Sequence, residues 1–132
     1  MEHSEGFLRL VEEARARVRE VTVEEALGRL GRGGAHLVDV REDDEWRAGH
    51  ARGARHLGRG VIERDVEREV PDKSAELILY CGGGYRSALA ADNLQRMGYT
   101  NVYSMAGGWR AWREAGAPTE GVEEAGAAAA ES

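Results

Sequence analysis

The sequence predicts an α/β fold, a parallel, doubly wound sheet with helices on both faces. Three observations predict it. Short β-rich runs alternate with helix-patterned segments from Val21 to about Pro118, joined by short connections. The run Leu77-Ile78-Leu79-Tyr80 is apolar at every position, as a strand buried on both faces is. The lone cysteine, Cys81, follows that run and precedes three glycines and a helix pattern. That is the carboxyl end of a strand, where parallel sheets bind their ligands.

Taken in order, Phe7, Leu10, Val11, Ala14 and Val18 recur at helical spacing among Arg and Glu, giving an amphipathic helix from Gly6 to about Arg19. Val21 marks a very short strand. Thr22 with Glu25 three residues on reads as a capping box for a helix through Ala26, Leu27 and Leu30. His36 to Arg41 is a buried strand between glycines and acids. Asp43, Asp44 and Glu45 suit the first turn of a helix, with Trp46 its anchor into the core. Gly49 to Ala54 is a glycine-punctuated turn, and Ala54 to Leu57 a short strand. Gly60 to Glu69 is a weak helix that stops at Pro71, and Glu76 to Tyr80 is the central strand. A helix from Ser87 to Met97 ends at Gly98, a good C-cap. Asn101 to Met105 is the next strand, and Gly107-Gly108 opens a last helix bearing Trp109 and Trp112. Beyond Gly121 there is no large apolar residue, so the tail is expected to be disordered.

Composition bounds the rest. The 132 residues, 42% hydrophobic and 32% charged, suit one domain with one core. The net charge of −6 argues against nucleic acid as a partner. Arginine outnumbers lysine 17 to 1, yet the arginines alternate with acids throughout. There is no long apolar run for a membrane span, and the first residues have no basic region followed by an apolar one. One cysteine allows no internal disulfide. Together these point to a reducing, cytoplasmic setting with no membrane partner.

The cysteine loop carries the chemistry. A thiolate is favoured near a helix N-terminus or a cation. Here a helix is expected to begin near Ser87, and Arg86 closes the loop. Gly82, Gly83 and Gly84 can take φ > 0 and turn their amides inward as an anion nest. The loop holds no aspartate or glutamate to oppose a thiolate. Cys81 is therefore the candidate nucleophile, although a lone cysteine is in general more often a small buried hydrophobe.

Three segments resemble the single-domain rhodanese family of sulfurtransferases. They are Leu37-Val38-Asp39-Val40-Arg41 with Glu45-Trp46, Gly49-His50 and Gly53-Ala54; then Tyr80-Cys81-Gly82-Gly83-Gly84-Tyr85-Arg86-Ser87; and Val102 to Trp109 with Trp112. The resemblance runs from about Thr22 to Pro118. It implies a rhodanese-like parallel sheet of about five strands. With the residue patterns outside it, this divides the chain into an N-terminal amphipathic helix extension over residues 1–20, a rhodanese-like domain over 21–118 and a tail over 119–132, acidic, alanine-rich and expected to be disordered. By resemblance Cys81 is catalytic and forms a persulfide, and Gly82, Gly83, Gly84, Tyr85, Arg86 and Ser87 bind the substrate. Asp39 and Arg41 brace the site. The partners implied are a small sulfane-sulfur donor, thiosulfate or a persulfide, and an external thiol, cyanide or protein acceptor. No cofactor is implied.

Two other readings remain. Related phosphatases and arsenate reductases place five residues between Cys and Arg. Here there are four, Gly82 to Tyr85, a ring better sized for one sulfur than for a tetrahedral oxyanion. The other reading is a non-catalytic interaction module on the same fold. The loop also lacks a basic residue before Arg86, unlike some thiosulfate-preferring relatives, which favours a persulfide donor. His36, His50 and His56 match no zinc-ligand spacing, so no metal is expected, and His50 is read as tying the turn after the Trp46 helix. Asp43, Asp44 and Glu45 read as a solvated helix start, Trp109 and Trp112 as core, and Tyr85 as an exposed residue shaping donor access.

Overall fold

The computed structural model describes residues 2–122. The chain runs α1 (Glu5–Arg17), β1 (Arg19–Val21), α2 (Val23–Gly31), β2 (Ala35–Asp39), α3 (Asp43–Arg47), β3 (His50–Ala51), β4 (Arg55–His56), α4 (Ile62–Glu69), β5 (Glu76–Tyr80), α5 (Tyr85–Arg96), β6 (Val102–Met105), α6 (Gly108–Glu114) and β7 (Thr119–Glu120). Five strands form one parallel sheet in the order β1-β6-β5-β2-β4, so β5 lies at its centre. No helix among the described residues is long and apolar enough to cross a membrane.

The uniformly apolar sequence of β5 has a direct structural cause. Successive side chains of a strand point to opposite faces, and both faces here are covered. Leu77, Leu79 and, one step past the strand, Cys81 enter one core with Ile62 and Val66 of α4 and Ala90, Ala91 and Leu94 of α5. Ile78 and Tyr80 enter a second core with Val23 and Ala26 of α2 and Trp112 of α6. Burying one such aliphatic side chain contributes about 1.5–3 kcal/mol. Cys81 thus leaves the sheet on the α4–α5 face, under the start of α5.

The helix starts follow their side chains. The Thr22 hydroxyl accepts from Glu25 N at 3.1 Å, and the Glu25 carboxylate accepts from Thr22 N at 2.9 Å, completing the capping box. Ser4 caps α1 by accepting from Phe7 N at 3.2 Å. α1 lies on α5, with Val11 and Ala14 buried. Two hydrogen bonds from Arg17 to Asp92, at 2.9 and 2.7 Å, and one from Gln95 to the Arg17 carbonyl, at 3.0 Å, fasten it there.

Several expectations are corrected. The strand read as His36 to Arg41 ends at Asp39, because the Asp39 carboxylate takes the Arg41 N–H at 2.9 Å and turns the chain out of the ladder. The turn from Gly49 to Ala54 contains β3, which pairs antiparallel with β7. Residues 119 and 120 are therefore a strand rather than part of a disordered tail. Trp112 Nε1 and Arg52 N both donate to the Pro118 carbonyl, at 2.8 and 3.0 Å, and hold the chain in reach of β3. The rest of the tail, residues 123–132, lies outside the described residues. Trp46 is half-buried and does not enter the core; His50 and His56 stack on it, with ring centroids 3.4 and 4.9 Å away.

Candidate active site

Cys81 is 1% exposed. Its sulfur accepts the Gly84 N–H at 3.0 Å, and its thiol donates to Ser87 Oγ at 3.6 Å. Ser87 shares a 2.8 Å hydrogen bond with Ser104 Oγ of β6, and both serines are fully buried. Hydroxyls rotate to suit their neighbours. The pair can accept from the thiol, or donate toward the sulfur once it carries charge.

The loop is tighter than the sequence suggests. α5 begins at Tyr85, two residues before the expected start, so Tyr85 and Arg86 belong to its first turn. Its unpaired N–H groups and positive end stand over the sulfur. The cause is Gly84, which sits at φ 103 as the N-cap and turns the chain straight from loop into helix. Gly82 and Gly83 were expected to share that positive φ, but of the three only Gly84 has it. Gly82 serves by its size: a Cβ there would lie 3.1 Å from Arg86 Nη2. Gly83 is exposed, and a Cβ on it would meet nothing within 4 Å.

Arg86 is held by α3. Its guanidinium donates to both carboxylate oxygens of Glu45, at 2.8 and 3.2 Å. Glu45 is therefore the loop's external brace, not a solvated acid, and the sequence reading missed it. The Arg86 hydrogen bonds hold the Glu45 carboxyl below its usual range, against burial, which pushes it up. A depressed folded value means the stabilisation is present above the ordinary carboxylate pKa of about 4.3 and is lost as pH falls below it. Acidification below about pH 4.3 is therefore expected to loosen the loop. Glu45→Gln should show a smaller drop in thermal midpoint between about pH 5 and pH 3 than the wild type, a comparison made by melting both proteins at each pH.

Beneath the loop lies a buried polar cluster. Asp39 and Arg41 are 0% and 3% exposed. Arg41 donates to Asp39 through Nε and Nη2, the shortest contact being 2.7 Å, and to the Gly49 carbonyl at 2.7 Å. The Tyr80 hydroxyl donates to Asp39 at 2.6 Å and accepts from Ala51 N at 3.0 Å. Burial first, then the Asp39 carboxylate, pushes the Tyr80 hydroxyl above its ordinary value, which keeps it a donor. Tyr80 precedes Cys81, so the cluster anchors the carboxyl end of β5. In this geometry Asp39 and Arg41 hold backbone.

The start of α6 closes the other side. Trp109 N donates to the Cys81 carbonyl at 2.7 Å and Arg110 N to the Gly82 carbonyl at 3.2 Å. Gly108, at φ 51, is in the left-handed region, and a methyl group there would overlap the Cys81 carbonyl. Gly108→Ala is expected to cost about 3 kcal/mol, read as a fall in the urea midpoint, because strain and backbone overlap act together. Trp112 is buried core, whereas Trp109 packs at the core's edge with Arg41 4.7 Å from its ring centroid.

A family model for the rhodanese-like domain matches residues 22–115. The chain belongs to the rhodanese-like domain family. The uncharacterized protein YqhL of Bacillus subtilis is 34% identical over 96 residues, covering 73% of this chain and 74% of that one. Among solved structures, the polysulfide-sulfur transferase homodimer of Wolinella succinogenes superposes with a TM-score of 0.76 at 28% identity, covering 87% of each chain. A Rhodopseudomonas palustris protein of unknown function, called a possible tyrosine phosphatase, superposes at 0.75 with 31% identity, covering 91% of this chain and 98% of that one. The rhodanese-like match begins after α1, so the contacts α1 makes with the loop lie outside the family core.

Those contacts revise Tyr85. It is half-buried rather than an open rim residue. The His3 ring lies 4.6 Å from the Tyr85 ring, edge-on, Phe7 lies 6.1 Å away, and the Arg15 guanidinium stands 4.9 Å from the ring centroid. Ser104 is a second residue that sequence reasoning passed over. Its signal was a hydroxyl in an otherwise apolar strand.

Proposed function

We propose that this rhodanese-like domain is a sulfurtransferase in which Cys81 carries a sulfane sulfur as a persulfide. The observation that carries the reading is the 3.0 Å hydrogen bond from Gly84 N–H to the Cys81 sulfur at the start of α5. The spacing of four residues between Cys81 and Arg86 supports it, a loop better suited to one sulfur than to a tetrahedral oxyanion. In the first step the Cys81 thiolate attacks the outer sulfur of thiosulfate or a persulfide. A sulfur–sulfur bond forms to Cys81, and the donor's own bond to that sulfur breaks. Its electron pair leaves with sulfite or with a thiolate. In the second step an external thiolate or cyanide attacks the outer sulfur of the persulfide and Cys81 departs as thiolate. With one cysteine in the chain, the acceptor is another molecule. Gly84 N–H and the N-terminal turn of α5 hold the negative sulfur in both steps. A free thiol in constant use suits a reducing, cytoplasmic setting.

The burial of Cys81 favours a slim donor that presents a terminal sulfur past Gly83. The test is the intact mass after incubation with thiosulfate and, separately, with glutathione persulfide. A gain of one sulfur atom on Cys81, removed by cyanide as thiocyanate, supports the reading. No gain with either donor overturns it. The phosphatase reading draws on the Rhodopseudomonas palustris relative's name. The nearby acid Glu45 is engaged by Arg86 and is not free to protonate a leaving group. Hydrolysis of an aryl phosphate is expected to stay at background.

A further inference from the structure

The active-site loop has no basic side chain free to meet an anion. Before Arg86 it carries none, and Arg86 gives two hydrogen bonds to Glu45. A cation nonetheless reaches the loop from another element. Arg15, in the last turn of α1, places Nη2 3.6 Å from where a Cβ on Gly84 would stand. Gly84 N is itself 3.0 Å from the Cys81 sulfur, so the guanidinium lies at most about 9 Å from that sulfur, given ordinary backbone bond lengths. Its flat face is set by the Tyr85 ring. Its ion pair with Glu20 of β1 is long, 3.5 Å, between side chains 38% and 36% exposed. Such a pair is weak in water and gives way to a better-placed anion. Gly84 tolerates this approach because it has no side chain to fill the space.

We infer that Arg15 receives the anionic end of the sulfur donor, making α1 a determinant of donor specificity. The inference rests on the proposed persulfide chemistry and names its substrate class: a small donor with a sulfonate or carboxylate close to its sulfane sulfur. A guanidinium offers two parallel N–H donors to either group. With thiosulfate the sulfonate faces Arg15 while the outer sulfur faces Cys81. As the new sulfur–sulfur bond forms, the old one breaks, and sulfite leaves with the electron pair toward the cation. Arg15 is a positioning residue for the donor, and Glu20 competes with the donor for it.

Three donors separate the possibilities in a cyanide-coupled assay: thiosulfate, glutathione persulfide and the persulfide of 2-mercaptoethanol, which carries neither sulfonate nor carboxylate. Arg15→Gln is expected to raise the KM for thiosulfate about tenfold, the effect of losing one charge-assisted interaction, with kcat changed less than twofold. The KM for the 2-mercaptoethanol persulfide should move less than twofold, and Arg15→Lys should recover part of the loss. Glu20→Gln should act in the opposite direction and lower the thiosulfate KM. A rise with glutathione persulfide alone assigns the site to a carboxylate donor; a rise with thiosulfate assigns it to a sulfonate. Equal changes for donors with and without a sulfonate or carboxylate, or none, overturn the inference while the persulfide chemistry stands. If the wild type forms no Cys81 persulfide with any of the three, both fall. Thermal midpoints of the variants, expected within a few degrees of wild type, show whether a lost fold is the cause of any change.

Discussion

Cys81→Ser is expected to bring thiocyanate formation from thiosulfate and cyanide down to the uncatalysed background, and to abolish the one-sulfur mass gain. The physical reason lies in the atom. Sulfur is a strong nucleophile toward sulfur, while an unassisted serine hydroxyl is not. Among the described residues no base hydrogen-bonds to the sulfur, whose polar contacts are Gly84 N–H and the Ser87 hydroxyl. The substitution should leave the fold in place, since serine is slightly smaller and its hydroxyl can take over both contacts. A far-ultraviolet spectrum and melting curve near wild type would show this. Substantial turnover in the serine variant would mean that another group carries the sulfur, and the persulfide reading would have to be abandoned. A partner-binding function that survives the substitution, with no turnover in the wild type, would instead favour the interaction-module reading.

The second large effect falls on stability. Asp39→Ala is expected to cost about 3–5 kcal/mol, because it strands the buried Arg41 cation without its counter-charge. The loss spreads further. Tyr80 OH loses the acceptor it donates to at 2.6 Å, and the Arg41 N–H loses its partner at the end of β2. Asp39→Asn should fall between the wild type and the alanine variant, since it keeps the shape and some hydrogen bonds. Tyr80→Phe should cost about 1–2 kcal/mol, as it leaves the Ala51 N–H unpaired. Urea denaturation of the three variants gives the ranking. A cost below about 1 kcal/mol for Asp39→Ala would show that water reaches the pair, and that it does not anchor the end of β5.

These two predictions rest on features that differed in how visible they were beforehand. Cys81 could be found because its neighbours in sequence are also its neighbours in space. Strand, cysteine, glycines and helix start are contiguous, so one reading of Leu77 to Ser87 contains most of the sulfur's surroundings. The same locality made the Thr22–Glu25 capping box and the two-faced burial of β5 legible. Where contiguity ended, so did the reading. Glu45 looked like one acid among three at a helix start, and only the packing of α3 against the loop turns it toward Arg86. Ser104 meets Ser87 because β6 lies beside β5, a neighbour relation that sequence order does not state. Trp46 looked like a core anchor by size, yet the short helix α3 stays at the surface and its ring stacks with two histidines. The strand at Thr119–Glu120 escaped notice because two residues have no periodicity to read.

From its residues alone, then, the chain determines an α/β domain whose central strand delivers Cys81 to a helix N-terminus. Hydrophobic patterning and local turn chemistry act over a few residues and need no long-range information. The tertiary structure decided what surrounds that sulfur. It turned Arg86 to Glu45, tied Asp39 to Tyr80, and laid α1 along α5 so that Arg15 arrives beside Gly84. Each is a contact between side chains distant in sequence, set by how helices pack on a sheet. A loop with no basic residue before Arg86 thereby has a guanidinium beside it, carried by the helix outside the family core.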